Sequence, residues 1–143
     1  MAPAGQGSHL PGMKQVLQAG AAYFAAVFAL GFVLGILRIL VLTPLLRPAG
    51  AVAAELAVLL PLAWLLCRRI AGRWSVPARP GPRLGMGAVA FALLMAAEFA
   101  LALLVFGRPL AVHLAGYGTA AGALGLAGQL AFAAFPVLQA RRR

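Results

Sequence analysis

The sequence predicts an all-α integral membrane protein, a four-helix transmembrane bundle, and three observations carry that prediction. Of its 143 residues, 64% are hydrophobic and only 10% charged, with a mean hydropathy of +0.98. Soluble domains run near half apolar and a quarter charged, and a chain this short exposes too much of its surface to hide such a composition from water. Second, four apolar stretches are each long enough, or nearly so, to cross a hydrocarbon core about 30 Å thick. Third, every Lys and Arg except Arg38 lies at the end of an apolar stretch or in the loops and tails between them. One membrane domain, residues 14–143, is expected, because spans in lipid satisfy their polar groups only against each other.

Residues 1–13 are small and polar with Pro3 and Pro11, which predicts a disordered leader. The apolar stretch after Lys14 is too long for the core of a signal peptide. The first span covers about residues 16–42; its first 22 residues reach about 33 Å at 1.5 Å per residue. Thr43-Pro44 and Arg47-Pro48-Ala49-Gly50 should stop it, since proline lacks an N–H and restricts the residue before it. The second span, about 51–67, should end at Arg68-Arg69 and kink or unwind at Pro61. Residues 68–83 hold three prolines, two glycines and five arginines and read as a polar linker with no buried element. Trp74 in that linker has the place of an interfacial anchor. The third span, about 84–106, ends at Gly107-Arg108-Pro109. Residues 110–118 form a short connection with His113 and Tyr117, and the fourth span is about 119–138.

The basic loops set the orientation. Lys14, the five arginines of residues 68–83 and Arg141-Arg142-Arg143 share one side of a four-span chain, against Arg47 and Arg108 on the other. The positive-inside rule places both termini and the middle loop in the cytoplasm of a bacterial inner membrane. The net charge of +10 then belongs to span ends, where it meets anionic headgroups at the cytoplasmic face, and nucleic acid is not an expected partner.

Helices in lipid associate through close contact at small residues. Gly31 and Gly35 form a GxxxG pair whose face continues to Arg38, and Gly118, Gly122, Gly125 and Gly128 make a similar stripe in the fourth span. Either stripe fits contact within the bundle or a face for a second copy or a larger membrane complex.

Three charged residues interrupt the apolar runs: Arg38, Glu55 and Glu98, the last two being the only acids in the chain. Counting 1.5 Å per residue from the outer ends of the spans puts them roughly 7, 7 and 12 Å deep, all in the outer leaflet. A charge at a span centre costs roughly 2.5–3.5 kcal/mol on insertion scales, less near an end. A pair at ~4 Å recovers about 4 kcal/mol at an effective dielectric near 20. Arg38 is therefore expected to pair with Glu55, with Glu98 nearby, and Gln129 to add an interhelical hydrogen bond to Glu98. This intramembrane polar cluster serves either as glue between helices or, through Glu98, as a proton or cation site.

Residue inventory argues against enzyme chemistry and cofactors. His9 and His113 lie outside the spans, so no paired histidines can hold haem. No cluster supplies three zinc ligands. Cys67 is the only cysteine, which excludes an internal disulfide and a CxxC centre. No Asp exists, and no phosphate-binding glycine motif is present.

The stretch Gly31-Phe32-Val33-Leu34-Gly35-Ile36-Leu37-Arg38-Ile39-Leu40, followed by Pro44, Ala54-Glu55-Leu56, Pro61 and later Ala97-Glu98-Phe99, resembles the uncharacterised small four-span inner-membrane proteins of alphaproteobacteria and related bacteria. The resemblance covers residues 14 to about 138. It implies the topology and the Arg38–Glu55 feature but no activity. Where that group carries a second acid before the proline of the second span, this chain has Leu59 and Leu60. Small multidrug exporters share the span count but carry their essential acid in the first span, where this chain has none. The expected role is thus non-enzymatic, structural or accessory, with a small proton- or cation-coupled transporter or channel that uses Glu98, Glu55 and Arg38 as the alternative.

Overall fold

The computed structural model describes residues 4–141, with side chains described from residue 12 onward. It is helical throughout, with no strand among the described residues. Helix α1 spans Ala4–Leu37 and runs into a π-helical turn, Arg38–Leu42; α2 spans Thr43–Arg73; α3 spans Pro80–Ala100 and ends in a second π-helical turn, Leu101–Val105; α4 is the short Leu110–Gly116; α5 spans Ala120–Arg141. Three continuous runs, Gly12–Arg73, Pro80–Val105 and Ala120–Arg141, are long and apolar enough to cross a membrane by length and composition. The first of them is a hairpin. Its backbone leaves helical geometry at Arg47 (φ 69°, ψ 164°), and the chain doubles back. Tyr23 then neighbours Cys67, Gly31 neighbours Leu59 and Gly35 neighbours Glu55, the antiparallel order.

Several boundaries differ from the sequence expectation. The leader is helical from Ala4, and only residues 1–3 of it lie outside the described residues. Starting a helix is what costs; extending one already formed by the first span costs little, and Pro11 removes one bond without ending it. Thr43-Pro44 does not stop the first span. The π turn ahead of it closes with the Thr43 N–H on the Arg38 carbonyl, and this wider turn accommodates a proline that brings no N–H of its own. The reversal waits for Arg47-Pro48. Pro61 keeps helical backbone angles within α2, so the expected unwinding there does not occur. Arg68-Arg69 does not end α2 either: arginine is a good helix former, and the helix continues to Arg73. The linker shrinks to residues 74–79 and it is packed. Ala71, Val76 and Arg83 are all buried.

The four long helices form a ring: α1 packs on α2 and α3, and both α2 and α3 pack on α5. Tyr23 crosses the ring, its hydroxyl donating to the Phe132 carbonyl at 2.7 Å and its ring stacked on Phe132 with centroids 4.3 Å apart. The core is built mainly of small residues, Ala19, Ala51, Ala63, Cys67, Ala71 and Ala90, around Tyr23, Met86 and Phe132. Large side chains such as Phe32, Ile39, Leu40, Leu65, Leu84 and Leu104 face outward. That inversion of the soluble pattern is what apolar surroundings allow. Glycines set close approaches between helices. A Cβ on Gly87 would collide with the Ala133 carbonyl oxygen, and one on Gly20 would lie 2.8 Å from the Val89 side chain.

Candidate functional site, the intramembrane polar cluster

One half of the bundle holds a cavity of about 600 Å³, with Arg38, Glu55, Glu98 and Gln129 all on its walls. Arg38 opens the first π turn, and Glu98 lies one turn before the second. Both π segments therefore sit at the level of the polar cluster, where a locally widened helix re-aims side chains.

Arg38 Nε donates to Glu55 Oε1 at 2.6 Å. The pair joins the two arms of the hairpin, and its side chains are 31% and 12% exposed respectively. Gly35 lies beside the pair: a Cβ there would stand 3.7 Å from Arg38 Nη2 and 3.9 Å from Glu55 Oε2, ordinary contact distances. Across the cavity, Gln129 Nε2 donates to Glu98 Oε2, tying α5 to α3. Gln129 Oε1 is buried with no hydrogen-bond partner in the protein. The sequence-derived cluster is thus two pairs, Arg38–Glu55 and Glu98–Gln129, which share one cavity.

Three residues that spacing alone did not assign complete the wall: Arg108, His113 and Tyr117. His113 on the short helix α4 and Tyr117, the residue that caps its C-terminus, stand four apart and face the same way, with Tyr117 Oη and His113 Nε2 3.4 Å apart. The imidazole also meets the Phe99 ring edge-on, centroids 4.5 Å apart, which places it beside the residue next to Glu98. Burial, and then the nearby Glu98 carboxyl, hold the Tyr117 hydroxyl above its ordinary pKa. The i, i+4 spacing of His113 and Tyr117 was the available signal. It becomes informative only once α4 folds back over the cavity.

The glycine stripes resolve unevenly. Gly31 and Gly35 face α2 of the same chain, with a Cβ on Gly31 standing 3.7 Å from Leu59. In the other stripe only Gly128 is a close interhelical position: a Cβ there would lie 2.6 Å from Leu56 Cδ2. Gly118 precedes α5 and belongs to the turn that its N–H closes on the Ala115 carbonyl. A Cβ on Gly122 would strike the Gly116 carbonyl of the same turn, and one on Gly125 would meet nothing within 4 Å. The expectation of one continuous packing face through Gly118, Gly122, Gly125 and Gly128 is corrected to a single close interhelical contact at Gly128, because Gly118 lies in the turn before α5 and Gly122 and Gly125 border the cavity.

Two buried groups at the other end went unseen in the sequence. Arg83 is buried and donates from Nε, Nη1 and Nη2 to the carbonyls of Pro77, Pro136 and Val76. Gln139 donates from Nε2 to the Trp64 carbonyl at 2.8 Å. Among arginine-rich loop residues nothing singled out Arg83; only the packing of residues 74–79 buries it. Among the described residues no group of three or more His, Cys, Asp or Glu could hold a metal ion.

Comparison with known protein families, with curated proteins and with solved structures gives no match.

Proposed function

We propose that this chain is a multi-pass bacterial inner-membrane protein with both termini cytoplasmic, of the small four-span kind it resembles, and that its role is non-enzymatic, structural or accessory. One observation carries this reading: the cluster's polar side chains are engaged pairwise with each other, Arg38 with Glu55 and Gln129 with Glu98. Each pair ties one long helix to another. In lipid such bonds hold helices together at modest energy, on the order of 0.6 kcal/mol each and up to about 1.7. The glycine contacts at Gly31, Gly35 and Gly128 are made within the chain and leave the outer apolar surface for lipid, a second copy or a larger complex.

A second reading is favoured by the cavity itself. Glu98 lies on the wall of a space of about 600 Å³ together with His113 and Tyr117, the set of groups a proton- or cation-coupled transporter or channel would use. Glu98→Gln separates the two. A glutamine preserves the hydrogen-bonding partner for Gln129, so under the structural reading the variant assembles with the wild-type detergent-resolved mass and unfolds at the wild-type temperature. Reconstituted vesicles should then show the same proton permeability with either form. Intact assembly with a proton flux present in wild type and lost in the variant would overturn the structural reading in favour of transport.

A further inference from the structure

A second cavity, of about 690 Å³, opens at the opposite end of the bundle, where α2 and α5 finish and α3 begins. Its wall includes Arg68, Arg83, Trp64, Ser75 and Gln139. Arg83 is only 4% exposed, and three backbone carbonyls from the 74–79 loop and α5 fix its guanidinium. The chain's only acids lie at the far end: Glu98 is about 22 Å further along α3 at 1.5 Å per residue. The cavity is therefore electropositive. Gln139 adds a second, independent feature. It is 5% exposed, its amide nitrogen is committed to the Trp64 carbonyl, and its Oε1 is buried with no hydrogen-bond partner in the protein. A buried acceptor of this kind calls for a donor from outside the chain. The site thus asks for two things at once, an anion beside two guanidiniums and a hydroxyl or amine donor beside it.

We propose that this cavity binds a phosphate ester that carries a hydroxyl donor, supplied by a phosphatidylglycerol headgroup of the leaflet it faces. The phosphate meets the Arg68 guanidinium, which matches its oxygens bidentately, and the fixed positive charge of Arg83 behind it adds attraction. A glycerol hydroxyl donates to Gln139 Oε1. The acyl chains run from the cavity mouth over the exposed apolar surface of Leu65 and Leu84. The volume lies within the usual range for small-ligand sites, about 300–1,000 Å³, and basic pockets between helices at the headgroup level are where anionic lipids are recognised. The site is independent of the reading of the intramembrane polar cluster.

The test is native mass spectrometry of the full chain, delipidated in detergent and then offered phosphatidylglycerol or phosphatidylcholine, with glycerol 1-phosphate and inorganic phosphate as separate soluble probes. The expected result is retention of one phosphatidylglycerol, about fivefold or more in preference to phosphatidylcholine, with neither soluble probe retained. Arg68→Gln should cut phosphatidylglycerol retention about tenfold or more, the loss of one charge-assisted bond. Gln139→Leu should erase most of the preference over phosphatidylcholine, whose headgroup brings no donor, while leaving general lipid retention in place. Equal retention of the two lipids, unchanged phosphatidylglycerol retention in Arg68→Gln, or retention of a soluble phosphate in place of the lipid would each overturn the proposal.

Discussion

At the residue scale most buried polar groups are placed where a partner meets them, the two glutamine oxygens Gln129 Oε1 and Gln139 Oε1 excepted. The Arg38–Glu55 bond at 2.6 Å was legible in advance because a guanidinium and a carboxyl at matching depth in consecutive spans have no cheaper arrangement in lipid. Glu98 and Gln129 were legible for the same reason. Arg83 was not. It stands among loop arginines and differs from them only because residues 74–79 fold under it, a tertiary fact with no local signature. Arg47 carries the other residue-scale consequence. Its φ of 69° and ψ of 164° belong to a region that only glycine occupies without strain, at a cost of order 1–3 kcal/mol for other residues. Arg47→Gly is expected to stabilise the protein by about 1 kcal/mol after the greater freedom of glycine in the unfolded chain is subtracted. That corresponds to a melting temperature higher by about 3 °C in detergent-solubilised protein. Arg47→Ala, which keeps the Cβ, should give no such gain; equal gains from both variants would show that charge rather than backbone geometry is at issue.

Between elements, close approach is set partly by glycines that pattern reading did not select. The GxxxG pair and the fourth-span stripe are visible because they repeat, yet Gly125 faces open space, while Gly20 and Gly87, which no such repeat marks, sit at close contacts alongside Gly128. Spacing reports which residues share a helix face but not which face meets a neighbour. Gly87→Ala should force α3 away from the Ala133 carbonyl and cost stability on the overpacking scale of about 1–3 kcal/mol. Gly125→Ala, an uncrowded helical position, should be neutral or gain up to about 1 kcal/mol from helix propensity. Denaturant titration of both variants in one detergent checks the contrast, and a reversed order would mean the α3–α5 contact is looser than described. Proline misled at this scale for a related reason. Pro44 and Pro61 remove one N–H each, but π geometry absorbs the first, and helical backbone angles persist across the second.

Across the whole molecule the arginines concentrate at one end and the glutamates at the other. The long apolar helices were legible, since continuous apolar runs of this length have few other uses, whereas their ends were placed by packing: α2 continues through Arg68-Arg69, and α3 starts at Pro80. With the proposed orientation, a cysteine introduced at Ala78 faces the cytoplasm and one at Ala111 the periplasm. A membrane-impermeant maleimide should then label Ala111→Cys but not Ala78→Cys in intact cells, and Cys67, being buried, gives no background. The reverse pattern would invert the topology. The central claim is that Arg38 and Glu55 clamp the first hairpin inside the membrane, and a charge swap tests it most directly. Arg38→Glu and Glu55→Arg are measured singly and together for folded yield and melting temperature in lipid nanodiscs. Each single change should sharply reduce folded protein by setting like charges against each other, and the double swap should restore most of the loss. Single variants that fold as well as wild type, or a double variant no better than the singles, would contradict the account.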